Sequence, residues 1–506
     1  MNYSRSKNAI LNIFWGYLAQ IGILILSFVG RRIFLNYLSI DYLGINGLYS
    51  NILTVLSLVE LGLDSAVIYS LYKPIAENDK SLVFSLIRFF RKIYWILAAA
   101  IFAVGLLLIP LLKFMIKSDL SQQDLILYYI LFLTNTVASY FVAHKAALLS
   151  AHQELRIQKS VSLSSNLILQ FLHIIVLVIW HNYYLYVIAT VCTTIINNVI
   201  LSIICGRIHR DELKHTQIIS FDKKPIYKRV LSTFLYKIGA VMVNSTDNIL
   251  ISILVSTAAV GLYSNYYTII IAVQGFIAII STSLVSGIGN LSATGDKKRQ
   301  YDIFNMMLLF YHFIGALGLI GFSLLLNNVV TIWLGEQYLF DTRTAMIVAF
   351  NFYLSNAISP VWMYREANGL FDRVKFLMLI RAAINIVLSI VLGMFWGVSG
   401  ILLATAISLI VTNLWYEPKV LFGNAFGLSQ IKYWKKQIKY GVLTIVSFAL
   451  SYIAIYLFGD TIAQVVIKII VIVAITSLLF GLTNMKSQEI KTLKSLLKRK
   501  QGISAV

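Results

Sequence analysis

The stretch LGINGLYSNILTVLSLVELGLDSAVIYSLY, residues 43–72, decides the fold. Its length and apolar character suit a membrane-spanning helix, since about 20 apolar residues cross a bilayer. It nevertheless carries two acids, Glu60 and Asp64, and a charge at the centre of a span costs about 2.5–3.5 kcal/mol. Acids four residues apart share one helix face. That face must contact a polar interior, which other spans have to supply.

The composition indicates a membrane protein throughout. Of the 506 residues, 59% are hydrophobic and only 12% are charged, whereas soluble proteins carry about 25% charged residues. The apolar runs are continuous rather than alternating, which favours helices over a β-barrel. We count about 14 spans of bilayer length. The sequence therefore predicts an all-α polytopic membrane protein.

The net charge of +21 has a membrane explanation. Lys and Arg concentrate in the loops on one side if both termini are placed in the cytoplasm, as the positive-inside rule requires. The pair Arg31-Arg32 is the exception, because it falls at an outward end. We therefore expect no nucleic-acid partner, and we expect the basic tail to contact anionic membrane lipid.

A weak internal repeat divides the chain. A shift of 217 residues aligns Gly44 with Gly261 and Asp79-Lys80 with Asp296-Lys297. Because the shift preserves orientation, the halves should be parallel six-helix lobes related by an axis along the membrane normal. The predicted parts are an N-lobe (1–206), a basic cytoplasmic linker (207–230), a C-lobe (231–416), two appended spans (417–482) and a basic cytoplasmic tail (483–506).

The motifs Leu-Gly-x-x-Gly-Leu-Tyr (43–49) and Val-Glu-Leu-Gly-Leu-x-Ser-Ala (59–66), with six plus six plus two spans, resemble a known family. They are similar to the polysaccharide transporters, of the Wzx flippase type, in the multidrug/oligosaccharidyl-lipid/polysaccharide (MOP) exporter superfamily. The resemblance implies a non-enzymatic flippase in the bacterial plasma membrane. Its substrate would be an undecaprenyl-diphosphate-linked oligosaccharide repeat unit for capsule, exopolysaccharide or O-antigen, moved to the outer leaflet by alternating access. Implied partners are a polysaccharide polymerase and glycosyltransferases.

Glu60 lies near the middle of its span, and Asp64 lies one turn nearer the cytoplasm. Buried carboxylates in membranes commonly bind a proton or cation during transport. We predict that both acids are ion-coupling candidates, with Asp64 the more structural, and that energy comes from a proton or sodium gradient or the membrane potential. No organic cofactor is expected. The alternative is a structural ion pair or a hydrogen bond between helices.

A diphosphate needs cationic ligands, because Arg forks and Lys point charges recognise phosphate. The cations in or near spans are Arg31, Arg32, Lys237, Arg365 and Arg381. Their alternative role is to reach toward lipid headgroups. The repeat also places Arg31-Arg32 and Asp247 at comparable depths, so we predict that one of these arginines pairs with Asp247 as an outer gate.

Amide and imidazole side chains within spans are glycan-contact candidates. They are Asn166, Gln170, His173, Asn244, Asn248 and Gln274. The alternative is hydrogen bonding between helices, worth about 0.6–2 kcal/mol each. We predict no metal site, because the histidines show no ligand spacing and His209 and His215 lie in a basic loop without Cys partners.

Two other transporters fit the same features. A peptidoglycan-precursor flippase shares the predicted span number, and a multidrug/cation antiporter belongs to the same superfamily but usually has fewer spans. A membrane glycosyltransferase or polymerase would need large outward loops or a catalytic acid–base cluster, and the predicted outward segments are short. Span number therefore does not separate the two flippases, which differ in substrate.

Overall fold

The computed structural model describes residues 21–215, 217–293 and 296–503, whose regular structure is helical, with no strand among them. The chain forms two compact units, which divide between Gly261 and Leu262. The first unit contains α1 (21–37), α2 (Ile40–Leu56), α3 (Glu60–Ala76), α4 (Lys80–Leu107), α5 (Ile109–Met115), α6 (Gln122–Tyr140), α7 (Ala143–Ala151), α8 (Leu155–Trp180), α9 (Tyr183–Ile208), α10 (Arg210–Leu213) and α11 (Lys224–Leu254). Then follow α12 (Thr257–Ala293), α13 (Lys297–Trp333), α14 (Thr342–Ala367), α15 (Phe371–Val411), α16 (Asn413–Leu421), α17 (Ile431–Ile455), α18 (Ile462–Asn484) and α19 (Gln488–Ile503). The predicted lobe boundaries stay predictions.

The apolar helices make this a multi-pass membrane protein. Within the described ranges, nine helices are long and apolar enough to cross a bilayer, or up to ten if α6 and α7, bent by 42°, form one crossing. The helix α15 also contains two arms, because Gly397 has a positive φ of 57°. Among the spans that the sequence predicts, two run from about 376 to 396 and from about 398 to 416. The break lies between these two spans. The predicted total of about 14 crossings is compatible with these breaks.

The sequence predicted one continuous helix over residues 43–72. This prediction was wrong, because the stretch is broken into two α-helices. A short 3₁₀ turn, Ser57–Val59, separates α2 from α3. Each of the two α-helices has only 17 residues. A 3₁₀ turn inside a helix is tighter than the α-helix on either side, and it often marks a functional hinge. The turn places Glu60 at the first position of α3.

The internal repeat appears as a shared helix start. The Asp79 side chain caps α4 by accepting the Leu82 backbone N–H at 2.9 Å. In the second unit the Asp296 side chain caps α13 by accepting the Arg299 backbone N–H at 3.0 Å. Both caps satisfy an N–H that has no partner inside its own helix. The sequence match at these positions therefore reflects the same local structure.

We expect Asp79→Ala and Asp296→Ala each to lower the free energy of unfolding by about 0.5–2 kcal/mol, because each removes one cap acceptor. Thermal unfolding of the purified protein in detergent measures the change. Asp79→Asn and Asp296→Asn are the matched controls, since Asn caps as well as Asp does. Equal losses in the Ala and Asn variants would contradict a capping role.

The two glycines that the repeat aligns pack closely within the first unit. A Cβ added to Gly44 would lie 1.9 Å from the Thr257 carbonyl oxygen, and one added to Gly261 would lie 2.4 Å from the Ile40 carbonyl oxygen. Both obstacles are backbone atoms, which cannot rotate away. Glycine is therefore required at both positions by close backbone approach.

The second unit has an aromatic core that includes Phe304, Tyr364 and Phe422. The helix α19, which lies in the predicted tail, packs against α13. Its Glu489 carboxylate accepts a hydrogen bond from Lys436 Nζ at 2.5 Å. Burial alone raises the pKa of Glu489, but the Lys436 ammonium and local hydrogen bonds outweigh burial and hold the pKa below its ordinary value. The start of the tail is thus anchored by a charged pair.

Candidate functional site

The two acids of α3 occupy different surroundings in the first unit. Asp64 is exposed and accepts a hydrogen bond at 2.5 Å from the hydroxyl of Tyr94, which lies on α4 and is fully buried. Glu60 is half-buried. One helical turn therefore carries two carboxylates within electrostatic range of each other, and Tyr94 holds one of them by a hydrogen bond.

The neighbours of Glu60 come from three other segments. The Tyr140 hydroxyl at the end of α6 approaches the Glu60 carboxylate and the Ser57 hydroxyl without a fully formed hydrogen bond. The Lys237 ammonium on α11 lies within electrostatic range of the same carboxylate. Lys237 was predicted as a diphosphate ligand. The structure places it within electrostatic range of Glu60, so it belongs to the acidic site.

This arrangement can bind a cation or a proton. Glu60, Asp64 and Lys237 together carry one excess negative charge when all three are ionised. A proton or a monovalent cation at Glu60 would weaken the attraction between Glu60 and Lys237, so binding there can change how α3 and α11 interact. The predicted roles of Glu60 and Asp64 in ion coupling stay predictions, and these contacts are consistent with them.

Arg31 and His173 lie beside the same aromatic side chain. Arg31 is half-buried and within electrostatic range of Tyr186 on α9. The His173 ring stacks on the Tyr186 ring with centroids 3.6 Å apart, and its Nε2 lies 3.0 Å from Thr190 Oγ1. His173 thus takes part in the contact between α8 and α9, which is the structural alternative to binding a glycan.

The other glycan candidates lie in varied surroundings. Asn166 is exposed, whereas Gln170 is half-buried near Gly30. Asn248 faces Gly47, and its buried Oδ1 has no hydrogen-bond partner among the described residues. Gln274 is half-buried in the second unit. The Asn244 side chain lies outside the described part of the structure, so its assignment stays a prediction with the others.

The outer gate also stays a prediction. Arg32 is exposed, and Asp247 is 8% exposed on α11. Arg31 interacts with Tyr186 on α9. Charge-swap variants of Arg31 or Arg32 with Asp247 test this pairing.

Arg365 has a structural role that the sequence did not suggest. Its Nη1 donates to Glu417 Oε2 at 2.7 Å, and the Glu417 side chain is 0% exposed. The Asn413 side chain donates to the other carboxylate oxygen. This network ties α14 to α16 in the second unit. The prediction that Arg365 binds a diphosphate gains no support from it.

Arg381 begins a buried polar stripe on α15. Arg381 is 8% exposed, and Asn385 and Ser389, at successive turns, are fully buried. The Asn385 amide donates to Thr405 Oγ1 at 3.0 Å, across the break at Gly397. The spacing of these residues, four apart, is a sequence signal for one helix face and was not used in the predictions above. Tyr94 and Tyr140 gave no comparable signal, because single tyrosines are common in spans.

The comparisons with known proteins agree with this architecture. The sequence model of the family described as polysaccharide biosynthesis protein matches residues 10–285, which is more than half of the chain. No curated protein matches the chain in sequence. The family match includes the whole acidic site, from Glu60 and Asp64 to Lys237.

Three solved structures share the fold. The lipid II flippase MurJ, in an inward-closed conformation, is 15% identical with a TM-score of 0.72, over 93% of this chain and 98% of its own. An inward-facing multidrug resistance MATE family transporter of the MOP superfamily is 12% identical with a TM-score of 0.57, over 79% and 96%. The Vibrio cholerae MATE transporter VcmN is 13% identical with a TM-score of 0.55, over 81% and 97%. These similarities establish the fold that the sequence predicted.

Proposed function

Because the chain belongs to the family of polysaccharide biosynthesis proteins, we propose that it is a flippase for undecaprenyl-diphosphate-linked oligosaccharide repeat units. It would move them from the inner to the outer leaflet of a bacterial plasma membrane, with both termini in the cytoplasm. The products would feed capsule, exopolysaccharide or O-antigen synthesis. The family match is the observation that carries this proposal, and the MurJ- and MATE-like fold is consistent with it.

The mechanism we propose is alternating access rather than catalysis. The lipid tail would stay in the bilayer. The diphosphate would be bound by cations among Arg31, Arg32, Lys237 and Arg381. Protonation or cation binding at Glu60 would bias the protein toward one of its access states. A polysaccharide polymerase and glycosyltransferases would be its functional partners, since they use and supply lipid-linked repeat units.

A peptidoglycan-precursor flippase is the second candidate. The MurJ structure matches 93% of this chain, whereas the two MATE structures match 79% and 81%. At 15% identity this observation concerns the fold, so the substrate has to be decided by experiment.

Deletion of the gene separates the two candidates. We expect loss of surface polysaccharide and accumulation of lipid-linked repeat units in the inner leaflet, with recovery when the gene is returned. Accumulation of a peptidoglycan precursor with unchanged surface polysaccharide would instead support the second candidate. No change in either lipid-linked pool would contradict both.

A further inference from the structure

A cluster of two histidines and two glutamates lies at the ends of helices in the first unit and shares no residue with the acidic site. His152 follows α7, Glu154 precedes α8, His209 follows α9, and Glu212 lies on α10. The sequence predicted no metal site, because the histidines show no ligand spacing and His209 and His215 lie in a basic loop without Cys partners. In the chain, 57 residues separate His152 from His209. The fold brings together two connections between helices. The first connection joins α7 to α8, and the second joins α9 to α10.

The backbone at the first connection turns sharply between two cluster members. Gln153 adopts a left-handed conformation with φ of 62°, which is uncommon for a residue other than glycine. The turn allows the His152 and Glu154 side chains to contact the second connection. His152 Nε2 lies 3.0 Å from Glu212 Oε2, and His209 Nε2 lies 2.9 Å from Glu154 Oε2.

Three of these side chains converge on one point. The ligand atoms of His152, His209 and Glu212 all lie within 4.8 Å of one another, and His209 Nδ1 is 3.6 Å from Glu212 Oε2. Ligands of a tetrahedral zinc ion lie about 3.4 Å apart, given metal–ligand bonds of about 2.0–2.2 Å. The observed separations of 3.0 and 3.6 Å lie on either side of that value.

Glu154 occupies the position of a supporting residue. If His209 Nδ1 faces the shared point, its Nε2–H donates to the Glu154 carboxylate, as histidine ligands in metal sites generally donate their second N–H to an acceptor. The two rings stack with centroids 4.0 Å apart, and His209 is only 8% exposed. Both imidazoles are therefore already held in place before any ion binds.

We propose that His152, His209 and Glu212 bind one divalent transition-metal ion of the zinc class. Two imidazoles and one carboxylate suit zinc, whereas calcium and magnesium prefer oxygen ligands. Glu212 as a ligand and Glu154 beside His209 supply two negative charges, which balance the charge of a dication within a basic segment. The fourth coordination position would be open to water. The ion would join the α7–α8 connection to the α9–α10 connection.

Metal titration of the full chain tests this proposal. The protein is purified in detergent without a histidine tag, treated with a chelator, and titrated with Zn²⁺ by calorimetry. We expect one bound ion per chain. His152→Ala and His209→Ala should each weaken Zn²⁺ binding at least tenfold, and Glu154→Gln by about 10–100-fold, because it supports a ligand. Co²⁺ should bind in the same ratio and give the visible absorption of a low-symmetry, four-coordinate site.

His215→Ala is the matched control. His215 lies in the same segment, but its Nε2 is 2.7 Å from Ser81 Oγ, and it is not one of the clustered ligands. Its substitution should leave Zn²⁺ affinity unchanged. Gel filtration shows whether each variant is folded. Absence of stoichiometric binding by the unsubstituted protein, or binding that His152→Ala and His209→Ala do not weaken, would overturn the proposal and leave the cluster as hydrogen-bonded pairs only.

Discussion

Glu60→Gln is expected to reduce ion-driven transport by about 5–150-fold, the range of typical coupling between two binding sites. The substitution keeps the size of the side chain and removes its charge. Lys237 then loses its attraction to position 60, and no carboxylate remains there to bind a proton or cation. Transport of a lipid-linked oligosaccharide into the outer leaflet of liposomes, with and without an imposed proton or sodium gradient, measures the effect.

Two comparisons separate coupling from structural damage. Glu77→Gln makes the same change just after the end of α3, where the carboxylate is exposed, and should leave transport unchanged. Asp64→Asn should have the smaller effect of the two acidic-site variants, because Tyr94 can still donate to the amide oxygen. A Glu60→Gln protein that responds to the gradient as the unsubstituted protein does would refute the coupling role.

Arg365→Met is expected to lower the free energy of unfolding by about 3–5 kcal/mol, as is typical when one partner of a buried ion pair is removed. Glu417 would lose its cationic partner in a position with no exposure to solvent. Thermal and denaturant unfolding in detergent measure the loss. We expect the double variant Arg365→Met, Glu417→Leu to recover most of it, since apolar replacements for a buried pair are often neutral.

Lys73→Met is the control for charge removal alone. Its ion pair with Glu77 is exposed, with side-chain exposures of 82% and 57%, and should be worth less than about 1 kcal/mol. If Arg365→Met costs no more than Lys73→Met, the ion pair is not what Arg365 contributes. The diphosphate role predicted from the sequence would then regain support.

Apolar length and composition were sufficient to predict the helical membrane fold. The break at Gly397 and the repeated start at Asp79 and Asp296 were also readable, because glycine and capping acids act on the local backbone. The sequence also marked Glu60 and Asp64 as unusual, since charges within spans are costly. These features depend on residues close together in the chain.

The partners of the marked residues could not be read in the same way. Tyr94, Tyr140 and Lys237 reach the acids from three helices, and helical periodicity shows which residues share a face but not which helix that face contacts. Arg365 with Glu417, and His152 with His209, are further cases in which packing decides the pairing. The 3₁₀ turn before Glu60 contains no glycine or proline from which it could have been predicted.

The contact between Gly44 and the segment Thr257–Gly261 sets an order of events during synthesis. At about 5–20 residues per second, the ribosome needs roughly 10–40 s to advance from position 44 to position 261. Until then Gly44 lacks the Thr257 backbone that it packs against, although α2 is already made. Tyr94 follows Asp64 by only 30 residues, so that acid can find its hydrogen-bond donor early. The first half of the chain therefore completes its packing only after the second half has begun to emerge.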